Sequence, residues 1–326
     1  MTGLVIRPLA KGEEPLFDSL AGPGLVGPGA LGGRYSDGIA RGTYRPANTW
    51  VALRDGVVVA RAAWWGRPHE GSPAVLDWFD FTDQDAAVQL LRTAPGPAEY
   101  SLALPPGWRD QPAVAEAARA RITAAEAIGM TLLVERYGYR WTPERGLPAR
   151  PGRLEFRPEP DDDVILDIFR RVHQGSLDAH ARRVIAESGL DAAAAEDLEI
   201  LRSMPGPRAW WRLASTAGGD LVGLTVPSRN YQDPVIGYVA VLPGHRGRGY
   251  SYDLLVEATH LLAAEGADRI VANTDVTNLP MAATFAKAGY PVTDHRIDLV
   301  GQAGMAGQAG KADEAAGPPP PGRELG

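Results

Sequence analysis

Residues 244–251 read Gly-His-Arg-Gly-Arg-Gly-Tyr-Ser, which puts three glycines and two arginines into eight positions. Glycine lets backbone N–H groups turn toward an anion with no Cβ in the way. Arg246 and Arg248 can add charge-assisted hydrogen bonds. A helical pattern starts at Ser251, so the positive end of a helix points at the same place. The chemistry these residues suit is the holding of a phosphate group. The apolar run at 235–242 ends at Pro243 and reads as the strand that delivers the loop.

The chain of 326 residues is long enough for two ordinary domains. Hydrophobic residues make up 44% and charged residues 22%, the balance of a globular protein. The formal charge of −7 argues against general binding to nucleic acid or anionic membranes. With no cysteine, disulfides, thiolate nucleophiles and Cys-ligated metals are excluded. The six histidines show no metal-ligand spacing, so no metal is expected. The first residues lack a basic-then-apolar pattern and no stretch of about 20 apolar residues occurs. A cytoplasmic protein is expected.

The halves on either side of a Pro/Gly/Arg-rich linker at 143–153 read as weak repeats. Leu4-Val5-Ile6-Arg7-Pro8 matches Leu154-Glu155-Phe156-Arg157-Pro158, 150 residues on. A hairpin signal joins 50–53 to 57–64, and another joins 210–214 to 221–226. Gly138-Tyr139 and Gly289-Tyr290, 151 residues apart, each read as the end of a helix. Helices are expected at 161–173, 176–203, 251–265 and 279–288. The helix at 251–265 carries one apolar stripe of Leu254, Leu255, Ala258, Leu261 and Leu262. Strands are expected at 210–214, 221–227, 235–242 and 269–273, with a last strand or hairpin at 290–300. Residues 301–326, mostly Gly, Ala and Pro, read as a disordered tail.

Val-x-Val-x-Pro-x-x-Arg-Gly-x-Gly between strand and helix resembles the GNAT superfamily of acetyltransferases. Arg246, Gly249 and Ser251 fill that family's [Gln/Arg]-x-x-Gly-x-[Gly/Ala] motif, with Ser in the last position. Asn278, Phe285 and Gly289-Tyr290 resemble its Asn-containing loop and closing helix end. The resemblance covers 153–300 and implies acetyl-CoA as cofactor. The amides of Arg246, Gly247, Arg248, Gly249, Tyr250 and Ser251 are expected on its pyrophosphate. The strand edge at Val239, Ala240 and Val241 is expected to pair with the pantetheine amides, and Asn278 to reach the same arm. The implied reaction is direct acetyl transfer to a primary amine of a small molecule or peptide. Phe285 stands where many family members carry a Tyr acid, and Val235 about where a Glu base is expected. Asp275 and Tyr238 are the candidate catalytic groups, with water, Tyr250 or Tyr252 as possible acids. The acceptor is expected around 173–205 and 290–298, where Glu187, Asp191, Glu196 and Glu199 would suit a cationic amine.

The first half resembles the same fold without the loop. Asp77, Asp80, Asp83 and Asp85 stand where phosphate should sit, and no glycine accompanies them. The expected architecture is thus α/β (α+β), with two GNAT-like domains of mixed, mostly antiparallel twisted sheet flanked by helices. A degenerate domain is placed at 1–145 and a catalytic one at 153–300, in a monomer or homodimer with one cofactor site. The alternative is an acyl-CoA-binding pseudoenzyme with a sensing or scaffold role. A dinucleotide-binding loop is disfavoured, because Pro243 and several antiparallel-looking strands precede these glycines.

Overall fold

The computed structural model describes residues 3–20, 24–68, 75–96, 99–159 and 161–301. Residues 302–326, most of the expected tail, lie outside them. The chain divides into two compact units, Met1–Leu133 with Arg296–Gly326, and Val134–His295. These bounds differ from 1–145 and 153–300 by an exchange: residues 134–152 fall in the second unit and 296–300 in the first.

The first unit contains β1 (Leu4–Pro8), α1 (Glu14–Asp18), α2 (Tyr35–Arg41), β2 (Thr49–Arg54), β3 (Val57–Trp65), β4 (Val75–Phe81), α3 (Gln84–Thr93), β5 (Glu99–Leu104) and α4 (Pro112–Glu126). Strands β1 to β4 pair antiparallel in sequence order, and β5 joins β4 in parallel. The β2–β3 turn places Asp55 and Gly56 at φ 53° and 79°. Positive φ at both central residues matches the right-handed twist of a hairpin. Leu76, Leu90, Tyr100, Leu102 and Leu104 are fully buried in its core.

Strand β6 (Thr131–Trp141) leads into the second unit. There follow β7 (Leu154–Pro158), α5 (Asp162–His173), α6 (Ala179–Ser188), α7 (Leu190–Ser203), β8 (Arg212–Thr216), β9 (Leu221–Arg229), β10 (Pro234–Val241), α8 (Tyr250–Ala264), β11 (Ile270–Asp275), α9 (Leu279–Lys287) and β12 (Val292–Val300). Its sheet runs β6-β11-β10-β9-β8-β7, parallel only between β10 and β11. One apolar cluster gathers α5 and α7, the other α8 and α9. Strand β10 feeds both, Ala240 into the first and Val239 into the second, as strand alternation requires. Asp161 caps α5 by accepting from the Asp163 amide, and Arg170, Arg171 and His173 sit at the helix's negative end.

Two local expectations are corrected. The helix expected over 176–203 is two helices, broken where Gly189 takes φ 89°. Gly138-Tyr139 lies inside β6 and ends no helix. A Cβ on Gly138 would fall 2.2 Å from the Asp294 carboxylate, so close approach explains that glycine. In the first unit Gly129, at φ 91° three residues past α4, is the counterpart of Gly289 at φ 81°.

Candidate active site

Strand β10 pairs with β9 over most of its length but meets β11 only at Val235 and Val271. The register shifts between Ile236 and Tyr238, so Gly237 forms a bulge. Past this point β10 and β11 splay, and a cleft of about 610 Å³ opens, within the usual range for small-molecule sites. The Leu242 amide donates to Val222 at 2.8 Å. The Ala240 carbonyl also faces β9, 2.0 Å from where a Gly223 Cβ would lie. By alternation Val239 and Val241 turn their polar groups to the gap. Arg246 Nε takes the Val241 carbonyl at 3.2 Å. Among the described residues, Val239 keeps an unpaired strand edge inside the cleft.

Gly247 and Gly249 adopt φ 77° and 74°, where a Cβ would be strained. Among the described residues, the amides of Gly247, Arg248 and Gly249 find no partner, and those of Tyr250 and Ser251 open α8. Arg153 explains the direction of two of them, those of Gly249 and Tyr250. Its guanidinium takes the carbonyls of Arg248 and Gly249, both at 3.0 Å, and pairs with Asp253. A peptide whose C=O faces Arg153 turns its N–H the opposite way. Asp253, buried in the first turn of α8, is thereby neutralised beside a site that suits an anion.

The two loop arginines do different work. Arg246, expected to contact an anion, spends its guanidinium on the carbonyls of Val172 (2.6 Å), Gln174 (2.9 Å) and Gly175 (3.2 Å). These are unsatisfied acceptors at and beyond the end of α5, so Arg246 ties the loop to that helix. Arg248 is exposed, with no side-chain partner among the described residues, and is the loop's free cation.

Asp275 is buried and does not line the cleft. Its oxygens accept from Arg136 Nε at 3.0 Å and the Ala179 amide at 2.7 Å, which fixes the start of α6. Burial and the Asp178 charge raise its pKa, against the Ala179 and Arg136 hydrogen bonds. Tyr238 does line the cleft, half-buried against Phe169, with Asp197 of α7 close enough to add to its pKa shift. Burial holds that phenol well above its ordinary value, with Asp197 adding to the shift. Asn278 caps α9 through Oδ1 and lines the cleft, leaving its NH2 unpartnered among the described residues. Phe285 is 1% exposed and stacks on Tyr139 at 4.4 Å. Tyr250 lines the cleft beneath Arg153, whereas Tyr252 carries Lys287 over its ring and does not.

The four acidic residues that would suit a cationic amine, and that read mostly as a solvated helix face, do not line the cleft. Glu187, Asp191, Glu196 and Glu199 are set beside Arg183, Arg170, His180 and Arg202. Asp178 and Asp197 line it instead. Sequence reading also missed Arg153, whose partners lie about 100 residues away and leave no local signal.

The first unit repeats the splay, since β4 and β5 pair only at Leu76 and Tyr100. There Arg121 of α4 fills the gap, donating to the Phe79 carbonyl at 2.9 Å and to Asp80 at 2.7 Å. Asp80 also accepts from Arg61 at 3.0 Å. Asp83 occupies the start of α3 by accepting from the Ala86 amide. Asp77 holds the Tyr44 hydroxyl at 2.6 Å.

Residues 179–290 match the model of the acetyltransferase (GNAT) family. No curated protein sequence matches the chain. A solved GCN5-related N-acetyltransferase from Sphaerobacter thermophilus is similar in fold, with TM-score 0.56 and 14% identity over 91% of this chain and 94% of the other. A tandem GNAT protein from the clavulanic acid biosynthesis pathway is similar too, with TM-score 0.50 and 18% identity over 91% of this chain and 98% of the other. Residues 179–290 thus match the GNAT acetyltransferase family, in a chain whose fold is similar to that of a tandem GNAT protein.

Proposed function

We propose that the second unit binds acetyl-CoA and transfers its acetyl group to a primary amine of a small molecule or peptide. One observation carries this reading: an unpaired strand edge at Val239 runs into a loop whose amides are turned outward and unspent. The amides from Gly247 to Ser251 suit a pyrophosphate, with Arg248 as counter-charge. Val239 suits the amides of the pantetheine arm as an added strand would, and the Asn278 NH2 is a further donor beside it. When bound, acetyl-CoA supplies an activated thioester. The chain's part is to orient that group, polarise its carbonyl through the strand N–H facing the gap, and receive a proton from the amine.

Acetyl-CoA turnover with a panel of primary amines, read by thiol release, tests the reading. Release that depends on an amine supports it. A second reading is favoured by Phe285, which puts an aromatic hydrocarbon where the family's Tyr acid is expected. On that reading the protein is an acyl-CoA-binding pseudoenzyme, and acetyl-CoA binds with no thiol released on any amine.

A further inference from the structure

Asp275 is spent on Arg136 and the Ala179 amide, so the proton acceptor must be sought on the cleft wall. Three groups from three elements converge there. Tyr238 on β10 stands beside Asp197 on α7, and both line the cleft. His173, the last residue of α5, places Nε2 3.2 Å from Asp197 Oδ2. The His173 side chain is 1% exposed, and neither ring nitrogen makes a well-aligned hydrogen bond among the described residues. Asp197 keeps 21% of its side chain exposed, and it lines the cleft together with Tyr238. A buried imidazole aimed at a partly open carboxylate, with a phenol beside it on the same wall, makes an array directed into the cavity. A structural carboxylate such as Asp275 is closed off instead.

We propose that Asp197 is the group that takes the proton from the acceptor amine, with Tyr238 and His173 as positioning residues. The proposal rests on the acetyl-transfer reading and adds a residue that sequence reading did not single out. The ammonium gives one proton to Asp197, which passes it to solvent through the open side of the cleft. The neutral amine forms the new C–N bond as the C–S bond breaks. The second nitrogen proton neutralises the departing thiolate, so the products are amide, free thiol and one released proton. A phenol beside Asp197 and an imidazole behind it hold the carboxylate toward the cleft. The charged groups around Tyr238 and Asp197 are Asp178 ahead of α6, Arg246 from the loop, His173, and the neighbouring Glu196 paired with His180.

The test uses the full chain and the amine that wild-type protein turns over fastest. Asp197→Asn keeps the size of the side chain but cannot take a proton. It should lower kcat/KM for the amine about 100-fold or more, leave the acetyl-CoA Kd unchanged, and remove the acid limb of the pH profile. Asp197→Glu should restore part of the rate. Tyr238→Phe, which keeps the ring against Phe169, should cost about tenfold and move the acid limb without moving acetyl-CoA affinity. A readout independent of turnover is the carboxyl carbon-13 signal of Asp197 in ligand-free protein. Its inflection should coincide with the acid limb of kcat/KM. An Asp197→Asn protein with wild-type turnover and an intact acid limb overturns the proposal, as does an Asp197 inflection at a different pH. If wild-type protein binds acetyl-CoA but acetylates no amine, the transfer reading falls and this proposal with it. Loss of turnover together with a lowered Tm in Asp197→Asn, unrelieved by Asp197→Glu, assigns Asp197 a structural role and also overturns it.

Discussion

The two units carry the same splayed pair of parallel strands and put it to opposite uses. In the second, the Val239 edge and the amides from Gly247 to Ser251 lack partners among the described residues. In the first, the matching places are filled from within. Arg121 takes the Phe79 carbonyl, Asp83 takes the start of α3, and Asp80 is held by two arginines. A gap between strands leaves polar groups that something must satisfy. One unit leaves that to a ligand, and the other closes the gap with its own side chains. In the first unit an arginine and an aspartate take the polar groups that the proposed cofactor would contact in the second.

The largest expected effect falls on the open cleft. Gly249→Glu places a carboxylate among the amides proposed to face a pyrophosphate, at a position with φ 74°. Calorimetry should find acetyl-CoA binding weakened about 100-fold or lost. Gly249→Ala carries the same backbone strain without the charge and should weaken it less. Wild-type affinity in Gly249→Glu would remove the distinction between the units.

The next effect falls on the closed cleft. Arg121→Ala orphans the Phe79 carbonyl and half of the Asp80 carboxylate, both buried. It should destabilise the first unit by about 3 kcal/mol, read by denaturant unfolding, while acetyl-CoA stoichiometry stays at one per chain. A second bound acetyl-CoA would show that Arg121 alone closes the cleft. Phe285→Ala should act on stability in the second unit. Removing a fully buried ring stacked on Tyr139 costs about 3 kcal/mol or more, with turnover per folded molecule little changed. A selective loss of turnover at unaltered Tm would contradict this.

The smallest effect concerns Asp77, whose pKa burial raises to about 7, against the Tyr44 hydrogen bond. Its folded value lies above its unfolded one, so the native state holds the proton more tightly. The stability it contributes is full below about pH 4 and is lost as pH rises through 7. Asp77→Asn should flatten the decline in stability between about pH 4 and 7. An unchanged slope would show that Asp77 does not titrate in that window.

Much of this contrast is legible in the sequence. The loop glycines, the apolar run before them and the stripe on α8 are local patterns, and each lies within one or two residues of its expected place. The aspartates of the first unit also pointed to a site closed to phosphate. What was not legible is long-range pairing. Asp275 is acidic and follows a strand, yet Arg136 and the Ala179 amide claim it from 139 and 96 residues away. Arg246 fits an anion-binding motif, but the carbonyls past α5 take its side chain. Arg153 sits in a stretch that reads as linker, and only folding brings it to the loop. Gly138-Tyr139 imitates a helix end because close approach to Asp294 also calls for glycine.

Hydrogen exchange with and without acetyl-CoA tests the contrast most directly, since it reads both clefts in one molecule. Protection should rise in peptides covering 237–252 and stay unchanged in those covering 77–90. Protection at 77–90, or none at 237–252 under saturating acetyl-CoA, would contradict a single cofactor site in the second unit.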